Sequence, residues 1–198
     1  MVDINAIKSH ILSLLENGLS GSLAYHNIGH TLDVEKQILI IAAAEGITNP
    51  KELEDLQIAA LYHDTGFLEK HTNHEFVSCD LARKYLPEFG LSNQRIDNIC
   101  NLIMATRFPH HPHNLLEMII CDADLDYLGR EGFVETSERL RNELISYQII
   151  TTETDWYQFQ INFFNKHKFF TKSSIEKREA EKMARYNELV KKQINNQS

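Results

Sequence analysis

Apolar residues recur at helical spacing along nearly the whole chain, and no segment shows the sustained apolar/polar alternation that is typical of a β-strand. The first segment carries Ile4, Ile7, Ile11 and Leu14 at this spacing. Further helices are predicted to begin near residues 27, 50, 72, 92, 115, 133, 155 and 173. The pattern predicts an all-α, compact fold that is not a simple up-down bundle.

Several helix starts carry capping signals. Asn49-Pro50 supplies a capping side chain and a first-turn proline for the third helix, whose apolar stripe places His63 on the buried side. Thr72 with Glu75 three residues later predicts a capping box for the fourth helix, and Ser92 is expected to cap the fifth.

The size and composition of the chain favour one domain, spanning residues 1–198. A chain of 198 residues with 42% hydrophobic content can bury a substantial core. No segment approaches the roughly 20 apolar residues that span a bilayer, and the first residues do not resemble a signal peptide, so we expect a cytoplasmic protein without membrane contact. The three cysteines, at positions 79, 100 and 121, are expected to be buried thiols.

The net charge of −8 is unevenly distributed. From Lys166 onward the chain holds 9 Lys/Arg against 4 Asp/Glu, so the preceding body is strongly acidic. An acidic body repels polyanions, which argues against a nucleic-acid polymer as partner, and a phosphorylated substrate would need local positive charge, such as a metal ion. The basic tail is predicted to be a solvated helix face, because four glutamates interleave with its cations.

A His-Asp pair on a buried helix stripe is the strongest chemical signal. Asp64 directly follows His63, and burial of an unpaired carboxylate costs several kcal/mol, so a cation is expected beside it. Imidazole and carboxylate together suit zinc, iron, manganese or cobalt. His30 and the acidic stretch IICDADLDYLG, residues 119–129, could supply further ligands. His30 could instead pair with Asp33 on one helix face.

These segments resemble the HD-domain metal-dependent phosphohydrolases in order and helical context. YHNIGHTLDV, LYHDTGF, NHEFVSCDLARKYL and DADLDYLG match that superfamily's motifs over residues 24–130, with C-terminal helices over 133–195 outside the match. The resemblance implies a single HD domain that binds one divalent metal ion, with Mn, Fe, Zn, Co, Ni and Mg not distinguished. The implied ligands are His30, His63, Asp64 and Asp124.

The resemblance also implies a reaction. It predicts a metal-dependent phosphohydrolase that cleaves a small phosphoester or nucleotide by attack of a metal-activated water. Asp64 would orient the water, and His26 would protonate the leaving group; a supporting hydrogen bond or a helix cap is the other interpretation of His26. Phe67 stands where the cyclic-dinucleotide branch carries a lysine, which argues against that substrate. A homodimer is compatible with the sequence.

Three aspartates compete for the distal ligand position. Asp122 and Asp126 share a helix face, whereas Asp124 points about 200° away from Asp122, so they cannot all reach one ion. The superfamily pattern selects Asp124. Asp122 would then cap or support its helix, and Asp126 would orient a ligand histidine.

Other residues keep two interpretations. Arg107 is the preferred phosphate anchor, with an exposed arginine as the equal alternative. His74 could bind a second metal, although capping already explains its surroundings, and the loop histidines His110, His111 and His113 are expected to be exposed. Two other functions remain open: a dinuclear iron oxygenase on the same scaffold, and a non-catalytic ligand-binding protein.

Overall fold

A computed structural model describes residues 2–196, and these residues form nine α-helices and three short 3₁₀ turns, with no β-strand. The all-α prediction is confirmed. Met1, Gln197 and Ser198, at the ends of the predicted 1–198 domain, lie outside the described residues. The helices are α1 Ile4–Gly18, α2 Ile28–Ala44, α3 Pro50–Tyr62, α4 His74–Tyr85, α5 Asn93–Ala105, α6 Leu115–Asp124, α7 Phe133–Ser146, α8 Glu153–Lys166 and α9 Lys172–Asn196. The 3₁₀ turns are Thr65–Leu68, Leu86–Phe89 and Asp126–Gly129.

Asparagine side chains fix the starts of α2 and α3. The side chain of Asn27 accepts hydrogen bonds from the backbone N–H groups of Gly29 at 2.8 Å and His30 at 3.3 Å. The side chain of Asn49 accepts from the N–H of Lys51 at 3.0 Å, and α3 begins at Pro50, directly after Asn49. Both helices therefore begin where the capping signals predict, and His30 lies in the first turn of α2.

The predicted capping box of α4 is wrong. The helix begins at His74, and Asn73 precedes it in a left-handed conformation with φ 56° and no side-chain cap. The reason is a close approach of the 65–68 turn, where a Cβ on Gly66 would lie 1.9 Å from the carbonyl oxygen of His74. Glu75 is consequently buried in the first turn of α4 instead of capping the helix.

The apolar interior of the described residues consists of one large cluster and two smaller ones. The main cluster joins α1 to α6, and it includes the fully buried Ile11, Ile38, Leu61 and Ile99. A second cluster joins Tyr25 and the 125–128 region to α7, α8 and α9. A third, small cluster contains Leu144, Ile150 and Trp156. The C-terminal helices thus pack against one end of the main helical body.

The basic tail is less solvated than its composition predicts. Lys182 is 1% exposed, and it donates to the carbonyl of His167 at 3.1 Å and pairs with Glu179 at 2.9 Å. Arg178 pairs with Asp126 at 2.8 Å, and Arg185 donates to backbone carbonyls of the 126–129 turn region. Part of the positive charge of α9 therefore holds the helix against the body.

Two simpler expectations have clear outcomes. All three cysteines are free and buried, as expected. Within residues 2–196, no helix combines the length and the apolar character needed to cross a bilayer.

Candidate metal centre

Four predicted side chains meet where the start of α2 and the ends of α3 and α6 converge. The Nε2 atoms of His30 and His63 are 3.3 Å apart. Asp64 Oδ2 lies 3.1 Å from His63 Nε2 and 3.3 Å from His30 Nε2. Asp124 Oδ1 lies 3.0 Å from His30 Nε2 and 3.6 Å from His63 Nε2.

The backbone at the end of α3 sets the orientation of the His-Asp pair. His63 Nδ1 lies 2.7 Å from the carbonyl oxygen of Ala60, so Nδ1 carries the proton that it donates there. The buried hydroxyl of Ser78 donates to the carbonyl of His63 at 2.7 Å and accepts from the N–H of Gly66 at 2.8 Å. Ser78 on α4 therefore fixes the backbone on both sides of Asp64, at His63 and at Gly66.

The donor set fits a divalent ion. Because Nδ1 of the neutral His63 ring holds the proton, Nε2 carries a lone pair. The neighbouring Oδ2 of Asp64 is buried and has no hydrogen-bond partner, so both atoms can bind a cation between them. An ion about 2.1 Å from each donor separates neighbouring donors by about 3.0 to 3.4 Å at octahedral or tetrahedral angles. Three of the four nitrogen–oxygen separations, at 3.0 to 3.3 Å, fall within this spacing, and the fourth is 3.6 Å. Donor atoms of His30, His63 and Asp124 all lie within 4.8 Å of one another, and Asp64 Oδ2 adjoins both histidines.

Mutual pairing controls the protonation of this cluster in the absence of an ion. Burial lowers the pKa of His30, but the neighbouring carboxylates of Asp124 and Asp64 outweigh it and raise the pKa to about 9. His63 behaves in the same way, with burial overcome by the charge of Asp64, and its pKa lies well above the ordinary value. Burial raises the pKa of Asp64, but His63 outweighs it and holds that pKa well below its usual range. Protons and a metal ion therefore compete for one site.

His74 and Glu75 lie at the other oxygen of Asp64. His74 Nε2 is 3.3 Å from Asp64 Oδ1 and 3.7 Å from Glu75 Oε1. The second oxygen of Glu75, Oε2, is buried without a hydrogen-bond partner. His74 is thus close to the centre. Asp64 directs Oδ2 towards His30 and His63 and Oδ1 towards His74.

His26 is held beside the centre by a carboxylate. Its Nδ1 contacts Oε1 of the fully buried Glu143 on α7, and Oε2 of Glu143 accepts from the backbone N–H groups of Tyr25 at 2.8 Å and His26 at 3.0 Å. The His26 ring stacks on Phe67 at 4.2 Å. Since Asn27 caps α2, the alternative of a capping role for His26 is wrong.

A cavity of about 190 Å³ opens beside the cluster. Its polar side includes His26, Asp64, His74, Glu75 and Asp124. Its other side is mainly apolar, with side chains from the 106–110 loop, α7 and α8. Nδ1–H of His26 faces Glu143, so its Nε2 is the nitrogen available to the cavity.

Among the remaining predicted site residues, His110 lines the cavity and Arg107 lies outside it. Arg107 is exposed outside this cavity, where it donates to Asn73 at 3.2 Å and stacks over Phe76. The expectation that His110 is exposed is wrong: it is buried, lines the cavity and hydrogen bonds to the carbonyl of Thr106. His111 and His113 are exposed.

The two other aspartates of the acidic stretch have structural partners. Asp122 is fully buried and accepts from the N–H groups of Phe170 and Thr171 and the hydroxyl of Thr171. Asp126 pairs with Arg178 and Arg130, so the prediction that it orients a ligand histidine is wrong. Asp33 likewise pairs with Arg130 and not with His30.

Known proteins resemble this chain over the same region. The sequence model of the HD domain family matches residues 27–126. The chain belongs to the HD domain family. Its fold also resembles the crystal structure of a predicted HD superfamily hydrolase from an uncultured Thermotogales bacterium, with a TM-score of 0.53 and 24% sequence identity over 80% of this chain and 89% of that one. Among curated proteins, no relative matches this HD domain.

Proposed function

We propose that the chain is a metal-dependent hydrolase that cleaves a phosphoester bond, with His30, His63, Asp64 and Asp124 as ligands of one divalent ion. The observation that carries the proposal is that Asp64 and Asp124 each place an oxygen 3.0 to 3.6 Å from the Nε2 atoms of both His30 and His63, beside the cavity. A divalent ion bound there would lower the pKa of water towards about 7 and offset the charge of a phosphoryl group.

The residues of the chain then have distinct tasks. Asp64 accepts a hydrogen bond from the attacking water and orients it. His26 donates a proton from Nε2 to the leaving oxygen, because its Nδ1 faces Glu143. Glu143 acts through His26, since its carboxylate contacts Nδ1 and so orients the ring with Nε2 available to the cavity. Arg107 has no part in this scheme because it does not line the cavity.

A screen of phosphoesters with Mn²⁺, Mg²⁺, Co²⁺ or Ni²⁺ tests the proposal by release of inorganic phosphate. Asp64→Ala should abolish hydrolysis and lower the metal content. His26→Ala should keep the metal and slow turnover by roughly 10²- to 10⁴-fold, the usual scale of a lost general acid. Asp80→Asn, with a side chain 81% exposed on α4, is the unchanged control. Metal-loaded protein that cleaves no phosphoester would overturn the proposal.

The position of His74 favours an alternative centre with two ions. Asp64 would bridge them, since Oδ2 faces His30 and His63 while Oδ1 faces His74. Glu75 would be a further ligand through its unpartnered oxygen. Metal analysis separates the alternatives: one ion per chain supports the mononuclear hydrolase, whereas two irons with dioxygen uptake would support an oxygenase.

A further inference from the structure

The wall of the cavity that faces the metal cluster comes from the C-terminal helices. Leu140 and Leu144 belong to α7, and Phe159 and Phe163 belong to α8. Phe108 extends the same surface and stacks on Phe163 with ring centroids 4.6 Å apart. All four helical residues lie beyond residues 27–126, which the family model matches, so this part of the wall is supplied by another part of the chain.

The lining of the cavity carries no described lysine or arginine. It contains three carboxylates instead, from Asp64, Glu75 and Asp124. A divalent ion supplies two positive charges, so one phosphoryl group can be accommodated, whereas a diphosphate or triphosphate would add negative charge for which the described lining offers histidines but no lysine or arginine.

The volume of the cavity is a second restriction. At about 190 Å³ it is smaller than the roughly 300 to 1,000 Å³ of pockets that enclose drug-sized ligands. A purine nucleoside also needs polar partners for its base and sugar hydroxyls. On the side away from the metal cluster, leucine and phenylalanine side chains dominate the lining and offer few such partners.

One buried polar group remains available to a substrate. Tyr25 lines the cavity and is only 6% exposed, and its hydroxyl is buried without a hydrogen-bond partner. Because an unpaired buried hydroxyl costs free energy, a phosphoryl or ester oxygen within reach of it would be stabilised by accepting a hydrogen bond from it.

We propose that the substrate is a phosphomonoester with a compact apolar alkyl or aryl group, which lies against Leu140, Leu144 and Phe163. This inference rests on the proposed phosphoester hydrolysis. In the reaction, the oxygen of water bonds to phosphorus and the bond from phosphorus to the ester oxygen breaks. The products are inorganic phosphate and the alcohol, which takes one proton from the water by way of the site.

The metal-loaded protein tests the inference with phenyl phosphate, 1-naphthyl phosphate, glycerol phosphate and adenosine 5′-monophosphate. We expect kcat/KM for phenyl phosphate to exceed the values for glycerol phosphate and the nucleotide by at least about tenfold. Leu140→Ala shortens one side chain of the apolar wall and so enlarges the cavity. It should raise the ratio of kcat/KM for 1-naphthyl phosphate to kcat/KM for phenyl phosphate about tenfold. Val134→Ala, 72% exposed on the same helix, should leave this ratio unchanged.

Binding gives a readout that does not depend on turnover. Calorimetric titration with phenylphosphonate, which is not hydrolysed, should show tight binding to the Mn²⁺-loaded protein, with adenosine 5′-monophosphate weaker. Phe163→Leu is a milder second variant, and it should weaken phenylphosphonate binding severalfold with the metal content unchanged.

Failure of the inference can be separated from failure of the proposed function. Hydrolysis of the nucleotide as fast as that of phenyl phosphate, with no effect of Leu140→Ala, would overturn the inference and leave the hydrolase intact. Size-selective phosphonate binding without hydrolysis of any ester would support the apolar subsite and overturn the hydrolase.

Discussion

The ring of His63 illustrates how a backbone contact fixes the chemistry of a side chain. Its Nδ1–H is engaged by the carbonyl of Ala60, and the residue is only 1% exposed. Nε2 therefore faces Asp64 and Asp124 with a lone pair unless a second proton binds. A proton or a metal ion must occupy this point, because bare carboxylates and lone pairs repel each other in a buried site.

Glu143 is predicted to position the ring of His26. Glu143→Gln keeps the size of the side chain and removes the charge, so it should lower kcat about 10- to 100-fold for an alkyl ester whose leaving oxygen needs a proton. With 4-nitrophenyl phosphate, whose leaving group needs little protonation, the loss should be much smaller. Metal content should not change. Equal losses with both esters would contradict the role of Glu143 as a positioning residue.

His167 is predicted to make stability depend on pH. Burial, together with the charge of Lys182, lowers its pKa from 6.5 to about 3. Below pH 6.5 His167 becomes protonated in the unfolded chain, whereas in the folded chain it stays neutral until about pH 3. The free energy of unfolding therefore decreases as the pH falls below 6.5. The loss approaches about 1.4 kcal/mol per pH unit within this window.

Urea unfolding in the presence of a chelator measures this effect, because the metal ligands then titrate identically in both proteins. The free energy of unfolding of the wild type should fall more steeply from pH 6 to pH 4 than that of His167→Gln. Parallel pH profiles for the two proteins would contradict the assignment.

At the scale of the elements, the 65–68 turn determines where α4 begins. Gly66 lies against the carbonyl of His74, and Ser78 ties the turn to His63. The placement of Asp64 and of His74 therefore depends on the same close contact between the turn and the first residues of α4.

Gly66→Ala should disturb this contact. A Cβ 1.9 Å from the carbonyl oxygen of His74 forces the backbone to shift, at a cost of about 1 to 3 kcal/mol, and should also weaken Mn²⁺ binding. Gly21→Ala is the matched control, since no atom lies within 4 Å of its added Cβ. Thermal unfolding and calorimetric Mn²⁺ titration measure both effects. A Gly66→Ala protein as stable as the Gly21→Ala protein would contradict the argument.

Sequence reasoning worked for features with local causes. Asn27, Asn49 and the apolar periodicity determine α2 and α3 through nearby hydrogen bonds and burial. It failed where distant contacts decide. The capping box at Thr72 does not form, because the packing of Gly66 against His74 sets the start of α4. Asp126 forms ion pairs with arginines instead of orienting a histidine.

The same limit explains the site residues that sequence reasoning missed. Glu143 is 117 residues from His26 and belongs to no motif, although a glutamate directly before Leu144 and three residues after Leu140 would have been a weak signal. Tyr25 begins the first motif and went unassigned, because a phenol can serve equally as a core residue. His110 was hidden in a proline-rich loop whose composition suggests exposure.

At the scale of the whole molecule, the cavity joins two parts of the chain with different contributions. The region 27–126 supplies the candidate metal ligands, and α7 and α8 supply Glu143 and the apolar wall. The basic residues of α9 secure this arrangement, since Arg178 pairs with Asp126 directly after the helix that carries Asp124. The reaction type would then follow from one part and the substrate from the other.

Anomalous X-ray diffraction from crystals soaked in Mn²⁺ tests the central claim most directly, because it locates the ion independently of activity. The account predicts one strong peak about 2.0 to 2.4 Å from Nε2 of His30, Nε2 of His63 and carboxylate oxygens of Asp64 and Asp124. Crystals of Asp124→Asn should lose this peak, whereas crystals of Asp80→Asn should keep it. A cluster that stays free of manganese, or a peak held by other residues, would contradict the account.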